Sequence, residues 1–507
     1  MVRGNDPLHR ITWRERMMQK YGMGMYMPYQ SDTTIPKWLL ECIGFFFIAM
    51  FACWAIFGHV PNWDLVLVAG VSVAMFFYFG YALSRNWYKV SEKRFLKNIF
   101  NFGFFIRLVW VVYLYYIFNP NYYGNTLGDT ADVEWYIPFA EDLAAWIRRD
   151  SYHTLAQFID INGAAIDDVG YPMLLAIEYV LTFGVSDVFV PMVIKSIMGA
   201  YCAVCIYHVA NRHFGNGTAR IAALFVCLNP NMIYWCGSMM KEAEMVFFCC
   251  LAVDKLDQGL SSGNKLTLRA LWPGLLAGLA LFFMRTALGL ALFIGVLAHI
   301  VFASNRVISL AKKIIAGILV ITTLVIGVGD RVIQQSKGYL DVVRSDSQQV
   351  NMEWRSTRAG GNSFARYASA TVFAPLIFTI PFPTLNMAHE GQLAQMQMAG
   401  GSYIKNLFSF FVITVLFLML ISGDWRRHVF ILAYTCGYLV VLVFSGFAQS
   451  GRFHMPIWPM LMLFAAYGVQ IAKGNVSIRH GFHQVVLLEV LVCLAWNWFK
   501  LKGRGLI

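Results

Sequence analysis

Long apolar runs, separated by short polar stretches, repeat along the chain from Trp38 to Phe499. A helix that crosses the hydrocarbon core of a bilayer needs about 20 mostly apolar residues, and many of these runs are close to that length. The pattern predicts an all-α polytopic membrane protein with about 13 transmembrane helices. The expected spans are about 38–57, 64–84, 98–118, 188–210, 220–237, 239–256, 270–284, 286–303, 311–328, 405–422, 429–447, 455–472 and 484–499.

The polar stretches divide the chain into regions. Only 13% of the 507 residues are charged and 58% are hydrophobic, whereas about 25% of an average soluble domain is charged. A large soluble domain is therefore excluded. The predicted regions are a basic cytoplasmic tail (1–37), two N-terminal helices (38–97), a transmembrane core (98–328) that contains a first outer loop (119–187), a second outer segment (329–404) and the C-terminal helices (405–507).

Charge patterning predicts which side each loop faces. The net charge is +12, but the basic residues form short clusters between apolar runs. This distribution is typical of cytoplasmic loops, and it argues against a nucleic-acid partner. The loop from Arg85 to Lys97 is predicted to be cytoplasmic, and the next loop, with nine acidic residues between Asn119 and Gly170, is then outside. Parity puts the C-terminus outside as well, although its basic residues favour the inside.

The segment "GYPMLLAIEYVLTFG", residues 170–184, is apolar but short for a span and contains Glu178. We expect it to lie along the outer membrane surface as an amphipathic juxtamembrane helix. The proline-rich "FAPLIFTIPFPTL", residues 373–385, is expected to be a re-entrant or surface piece, since proline disfavours a helix interior. The ten cysteines lie in or beside apolar segments, which indicates packing and not a disulfide framework.

Ionisable residues collect at the predicted outer face. Charges near a membrane are costly, and they usually mark function or pair with each other. Arg285 has apolar neighbours on both sides, so it needs an anionic partner from elsewhere in the chain or from a ligand. The others have structural alternatives: a helix start at Asp129 to Glu134, a local ion pair, or an interfacial anchor. This set comprises Asp129, Asp132, Glu134, Lys241, Glu242, Arg285, Arg452 and His454.

The order of several segments resembles the GT-C membrane glycosyltransferases, which include protein mannosyltransferases and the aminoarabinose transferases of lipid A. The acidic "DVEWYIPFA" follows a first core span and precedes "GYPMLLAIEYVLTFG". Then come "HVANRHFGNGTARIAAL", "NPNMIYWCGSMMKEAEMVF", "GLLAGLALFFMRTALGL" and, late in the chain, "SGRFHMPIWPMLMLFAAYG". In the family the first-loop acid is often an Asp-Glu pair, whereas here Val133 follows Asp132.

The resemblance implies a bacterial inner-membrane enzyme that works at the periplasmic face. It would transfer a sugar from a polyprenyl-phosphate donor to a glycan, lipid or protein acceptor, with inversion at the anomeric carbon. Asp132 is the expected base and Asp129 the second carboxylate. The sequence leaves open whether the two roles are the other way round. Tyr136, one helical turn after Asp132, favours Asp132.

The remaining expected roles are binding roles. The resemblance implies that Arg285, Lys241, Glu242 and Arg452 hold the donor phosphate. It implies an acceptor or sugar subsite formed by Tyr136, Glu134, Tyr171 and His454. No cofactor is expected, apart from a divalent metal whose requirement the sequence leaves open, and the partners are the lipid-linked donor, membrane lipids and the acceptor.

Two other functions compete. A polysaccharide polymerase or ligase would use a polyprenyl-diphosphate-linked glycan, and the arginines from Arg331 to Arg366 fit it. A transporter or lipid flippase would need polar groups at the bilayer midplane and usually an internal repeat.

Overall fold

The structure is a computed structural model. It describes residues 32–128, 132–148, 157, 166–183, 187–261, 268–302, 353, 356–357, 361–367, 370–386, 393–445 and 448–507. The predicted span 311–328, most of the N-terminal tail and Asp129 lie outside the described residues, as do Arg331, Arg344, Arg355 and Arg358. The side chain of Arg366 also lies outside them.

The described residues fold into helices joined by turns and short extended segments. We number the longer helices in chain order. They are α1 (Lys37–Phe57), α2 (Trp63–Asn86), α3 (Glu92–Tyr123), α4 (Val133–Arg148), α5 (Ile166–Leu181), α6 (Phe189–Leu228), α7 (Glu242–Ser261), α8 (Leu268–Met284), α9 (Thr286–Phe302), α10 (Ala399–Ser422), α11 (Val429–Phe444), α12 (Gly451–Gly474) and α13 (Val476–Gly503).

Seven of these helices in the described part of the chain are long and apolar enough to cross a membrane, namely α1, α2, α3, α6, α10, α12 and α13. Residues 271–284 of α8, together with α9 and α11, are shorter apolar helices. The chain is therefore a polytopic all-helical membrane protein with seven candidate spans. The predicted total of 13 spans remains a prediction, because it includes shorter helices and residues outside the described ranges.

Helix α6 has 40 residues but folds back on itself. Gly215 has φ 81° and ψ 171°, a conformation that side chains with a Cβ rarely adopt. The guanidinium of Arg107 packs against Gly199 and also donates to the carbonyl of Cys227 at 3.0 Å. A straight helix would separate residues 199 and 227 by about 42 Å. Helix α6 is therefore a hairpin, in agreement with the two predicted spans 188–210 and 220–237.

One end of the bundle, which we call the turn end, surrounds Gly215. Arg212 binds Asp254 at 2.9 Å and Asp257 at 2.6 Å, and His213 binds Asp257 at 2.8 Å. Beyond the turn, Arg220 donates to the carbonyls of residues 87, 88 and 90 in the loop before α3. The acidic end of α7 is thus neutralised by cations of α6, which fixes the hairpin to its neighbours.

Arg107 stabilises the other arm of the hairpin from inside the bundle. Its side chain is fully buried and donates to the carbonyls of Gly103, Val226 and Cys227. The last two carbonyls belong to the end of α6, which Asn229 and Pro230 terminate. Because the last carbonyls of a helix have no partner within it, Arg107 supplies the missing donors. It thereby positions residues 230–237, of which Tyr234, Trp235 and Gly237 line the candidate site.

The proline-rich segment packs at the end opposite Gly215, which we call the site end. The N–H groups of Leu385 and Asn386 donate to Asn497 of α13, and Trp54 of α1 donates to the carbonyl of Leu385 at 2.9 Å. Residues 380–386 have no helical structure. Residues 380–386 therefore form a largely buried, non-helical piece, and the last turns of α13 reach the same end.

Replacing Arg107 by Met should lower the free energy of unfolding by about 2–4 kcal/mol, because it leaves buried carbonyls without donors. Denaturant titration of the detergent-solubilised protein measures this change. Arg94→Met, at an exposed position of the same helix, is the matched control and should have little effect. Equal stability of the two variants would show that the Arg107 hydrogen bonds contribute nothing.

Candidate functional site at one end of the bundle

Three ionisable side chains from distant parts of the sequence meet at the site end. Arg452 Nε donates to Glu242 Oε1, and Arg452 Nη2 lies 2.5 Å from Asp132 Oδ2. The Glu242 side chain is fully buried, whereas the Asp132 side chain is 41% exposed. Arg452 therefore links a buried carboxylate to an accessible one, and we call these three residues the Arg452 cluster.

Helix starts bring the members of the cluster together. Glu242 is the first residue of α7, Arg452 the second of α12, and Asp132 immediately precedes α4. The N-terminal end of a helix carries a partial positive charge, which favours carboxylates placed there. The dipoles of α4 and α7 thus assist Arg452 in compensating Asp132 and Glu242. The sequence expectation of a local Lys241–Glu242 ion pair is not what the structure has.

Arg285 lies between α8 and α9 on the other side of Phe453. Its guanidinium stacks on the ring of Phe453 at 4.3 Å and donates weakly to the hydroxyl of Tyr438 at 3.4 Å. It makes no ion pair within the described ranges, although its charge acts on Tyr136. Arg285 is therefore a partly exposed cation at the site end whose charge no described carboxylate matches.

Lys241 forms an ion pair with Asp168 of α5 and is almost fully buried. This contact ties the loop before α7 to the helix that the sequence placed along the membrane surface. Helix α5 has 16 residues, fewer than the roughly 20 that a span needs. Lys241 is thus engaged within the protein and is less accessible to a ligand than Arg285.

Tyr136 lies behind Asp132 on α4. The tyrosine is buried, and its ring makes an edge contact with Tyr171 at 5.1 Å. Burial raises the pKa of Tyr136, with a further increase from the negative charges of Asp132 and Glu242. The phenol therefore stays protonated at neutral pH. Glu134, two residues before Tyr136 in the first turn of the helix, is exposed.

Tyr171 and His454, two other residues of the expected sugar subsite, are fully buried. His454 Nε2 donates to the carbonyl of Ala448 at 2.6 Å, so Nδ1 accepts from Lys405 at 3.1 Å. Tyr171 lies under Lys195, whose ammonium is 4.5 Å from the ring centre. The structure does not bring these two side chains to an accessible surface.

A cleft with a cavity volume of about 80 Å³ opens beside the Arg452 cluster. Its aromatic walls are Tyr123, Tyr234 and Trp235, and Arg452 lines one side. The complete lining is Leu114, Asn119, Tyr123, Leu127, Gly128, Tyr234, Trp235, Gly237, Ser238, Met240, Ala394, Gln397 and Arg452. The mixed aromatic and polar lining is of the kind found at small-ligand sites, although the volume is below their usual range.

The loop that closes one side of the cleft is held by local hydrogen bonds. Asn125 Oδ1 accepts from the N–H groups of Leu127 and Gly128, both at 2.8 Å, and Asn119 donates to the carbonyl of Thr126 at 3.0 Å. Gly128 has φ 83°, which residues with a Cβ rarely adopt, and a Cβ there would lie only 3.2 Å from Asn119 Oδ1. Residues 125–128 of the loop are therefore pre-formed.

A buried ion pair between Lys195 and Glu244 lies below Tyr171, and the sequence analysis did not single it out. Lys195 binds Glu244 at 3.2 Å and donates to the carbonyls of Ser238 and Met240. Lys195 lies inside a predicted span, so its charge alone was a signal that it needed a partner. Arg107 carried the same signal. For Trp235 and Gln397 the sequence offers no comparable signal, because their surroundings depend on the tertiary fold.

Within the described ranges no group of three or more His, Cys, Asp or Glu residues is placed to hold a metal ion. The Arg452 cluster contributes two carboxylates, and both already bind the guanidinium. The metal requirement that the sequence left open is not tested by this arrangement.

Comparison with known proteins adds no family assignment. No protein-family model matches the chain, and a search among characterised proteins finds no similar sequence. The candidate site therefore stands on its geometry, and the chain is described as a polytopic all-helical membrane protein with seven candidate spans.

Glu178 of α5 provides a test of the buried charges around Lys195 and Glu244. Burial raises its pKa to about 7 from the usual 4.5, with a further increase from Glu244 and a decrease from Lys195. A raised carboxyl pKa means that the folded protein holds the proton more tightly, so stability is lost as pH rises from about 4.5 to 7.

Glu178→Gln should remove this loss and should exceed the wild type by on the order of 3 kcal/mol above pH 7. Unfolding free energies measured from pH 4.5 to 8 give the difference. Glu141→Gln, at an exposed position of α4, serves as the control. A pH profile of Glu178→Gln that parallels the wild type would contradict the burial of an unpaired carboxyl.

Proposed function

We propose that the protein is an integral membrane glycosyltransferase of the GT-C type, which moves a sugar from a polyprenyl-phosphate donor to an acceptor at the site end of the bundle. The observation that carries the proposal is the Arg452 cluster at the edge of a cleft lined by aromatic residues. An accessible carboxylate, Asp132, is fixed there by a guanidinium that a buried Glu242 holds in place. The order of segments that resembles the GT-C enzymes adds to this support.

Asp132 is the proposed general base. Its side chain is 41% exposed, so an acceptor hydroxyl can approach it, while Arg452 fixes its orientation. The acceptor oxygen attacks the anomeric carbon as Asp132 takes the hydroxyl proton. The bond from the anomeric carbon to the phosphate oxygen breaks, and its electron pair leaves with polyprenyl phosphate. A single displacement of this kind inverts the anomeric configuration.

Arg285 is the proposed phosphate ligand. The departing phosphate gains negative charge, and a cation placed at that position stabilises the transition state. Arg452 is a weaker candidate for this role than the sequence suggested, because two carboxylates already compensate its charge. Lys241 is weaker for the same reason, since it pairs with Asp168. In this proposal both contribute by positioning the loop and helix starts around the site.

The proposed side is the periplasmic face of a bacterial inner membrane. Basic residues near the turn end, such as Arg212 and Arg220, favour the cytoplasm for that end. The site end would then face away from the cytoplasm. Nucleotide sugars are not normally available on that side of the membrane. A lipid-linked donor fits that location.

Asp132→Asn should abolish turnover, with a loss of at least about 100-fold, because a general base contributes about 10²–10⁴ to the rate. The measurement is mass spectrometry of lipid released from a panel of polyprenyl-linked sugars with a membrane-glycan extract as acceptor. Wild-type protein should release polyprenyl monophosphate, and the variant should not. Asp142→Asn, which changes an exposed acid of the same helix, should behave as the wild type.

The other outcomes separate the competing functions. Release of polyprenyl diphosphate would contradict the monophosphate donor and would identify a polymerase or ligase. If no donor releases lipid, the enzyme proposal fails and a transporter becomes the function to test. Equal loss in Asp132→Asn and Asp142→Asn would contradict the role of Asp132 as base.

A further inference from the structure

The ammonium of Lys195 holds the chain on both sides of Glu242. Its nitrogen donates to the carbonyls of Ser238 at 2.7 Å and Met240 at 2.6 Å, and it lies 3.2 Å from Glu244 Oε1. An ammonium group has three N–H donors, and these three contacts use them all. Lys195 therefore fixes the loop before α7 and the first turn of that helix from inside the bundle.

A second carboxyl group, that of Glu178, lies in the same buried region. Its side chain is 7% exposed, and its Oε2 atom has no hydrogen-bond partner among the described residues. Glu178 lies two turns after Tyr171 on α5 and so on the same face of the helix. The ammonium of Lys195 is 4.5 Å from the ring centre of Tyr171. Lys195 is the cation that acts on Glu178, yet its donors are already in use.

Two carboxyl groups thus share one ammonium. While Glu178 carries its proton, Lys195 and Glu244 compensate each other and the group is neutral. Loss of that proton leaves either an unpaired buried carboxylate, which is costly, or a Lys195 that turns to Glu178 and gives up a carbonyl of the loop. In both cases opening of the loop becomes easier, because water then solvates the charge.

The surroundings of Glu178 place this change near neutral pH. Burial raises the pKa of Glu178 to about 7, with a further increase from Glu244 and a decrease from Lys195. The other titratable groups nearby are Tyr171 and Tyr179 of α5, Tyr136 and Glu141 of α4, and Arg269 of α8, whose side chain lies outside the described residues. Burial raises the pKa values of the three tyrosines, so they stay protonated at this pH.

We propose that Glu178, Lys195 and Glu244 form a pH switch at the start of α7. Protonated Glu178 leaves Lys195 on the loop carbonyls, and ionised Glu178 loosens that hold. Lys195 is then a positioning residue for Glu242, which binds Arg452. The switch itself is independent of the proposed function, whereas its control of sugar transfer rests on that function, because Arg452 fixes the proposed base.

The first test is amide hydrogen exchange of the full-length protein in detergent, read by mass spectrometry at pH 6 and pH 8 and corrected for the intrinsic exchange rate. If opening returns Glu178 to its usual pKa, protection of residues 238–245 should fall about 10-fold between these pH values. Glu178→Gln should show less than about a 2-fold fall, because it has no proton to lose. Residues 99–106 of α3, without ionisable side chains, are the internal reference, and Glu141→Gln should behave as the wild type.

A second variant tests Lys195 directly. Lys195→Met combined with Glu244→Gln removes the ammonium together with its carboxylate. Protection of residues 238–245 at pH 6 should then be at least about 5-fold below that of the wild type, since two hydrogen bonds to carbonyls are lost. Protection equal to that of the wild type would show that Lys195 does not hold the loop.

Lipid release from polyprenyl donors is measured on the same preparations. The wild-type rate should fall about 10-fold from pH 6 to pH 8 as Glu178 ionises, and Glu178→Gln should retain its rate. A fall that is equal in Glu178→Gln and Glu141→Gln would overturn the control of transfer by the switch.

The switch is wrong if wild-type protection of residues 238–245 is the same at pH 6 and pH 8, or if Glu178→Gln and Glu141→Gln change equally. Exchange needs no substrate, so the two failures are distinguishable. A switch seen by exchange without lipid release from any donor would overturn the proposed function and leave the switch intact. Lipid release with pH-independent protection would overturn the switch alone.

Discussion

The site end of the bundle depends on the compensation of one buried carboxylate. Glu242 is fully buried and binds Arg452, and an uncompensated charge in such a place costs several kcal/mol. Arg452 therefore has to reach into the bundle, which leaves its outer edge free to hold Asp132. That second contact joins the start of α4 to the start of α12 at the edge of the cleft.

The cations at the site end differ in whether a carboxylate of the protein compensates them. Arg452 and Lys241 are both occupied by carboxylates of the protein, whereas Arg285 stacks on Phe453 and pairs with no described acid. A structural cation and a ligand-binding cation are thus distinguishable by their partners. This difference favours Arg285 for an anionic leaving group.

Much of the fold was predictable because apolar runs report spans directly. The hairpin at Gly215 agrees with the two runs on either side of it, and the prolines after Phe373 predicted a non-spanning segment. The cluster at Arg452 was predictable only as a set of residues sharing one face of the membrane. Its pairing was not, since Asp132, Glu242 and Arg452 are far apart in sequence and helix packing alone decides which carboxylate meets which cation. Tyr171 and His454 show the same limit, because a polar residue near a span end looks alike whether it faces a cleft or the interior.

The most direct test of this account is the free energy of unfolding of Arg452→Met compared with that of Arg452→Met combined with Glu242→Gln. If Arg452 compensates a buried charge, the single variant leaves Glu242 unpaired, and the second change should restore about 2 kcal/mol or more. Denaturant titration in one detergent measures both variants. A double variant no more stable than Arg452→Met would contradict the claim that the site end is organised around Glu242.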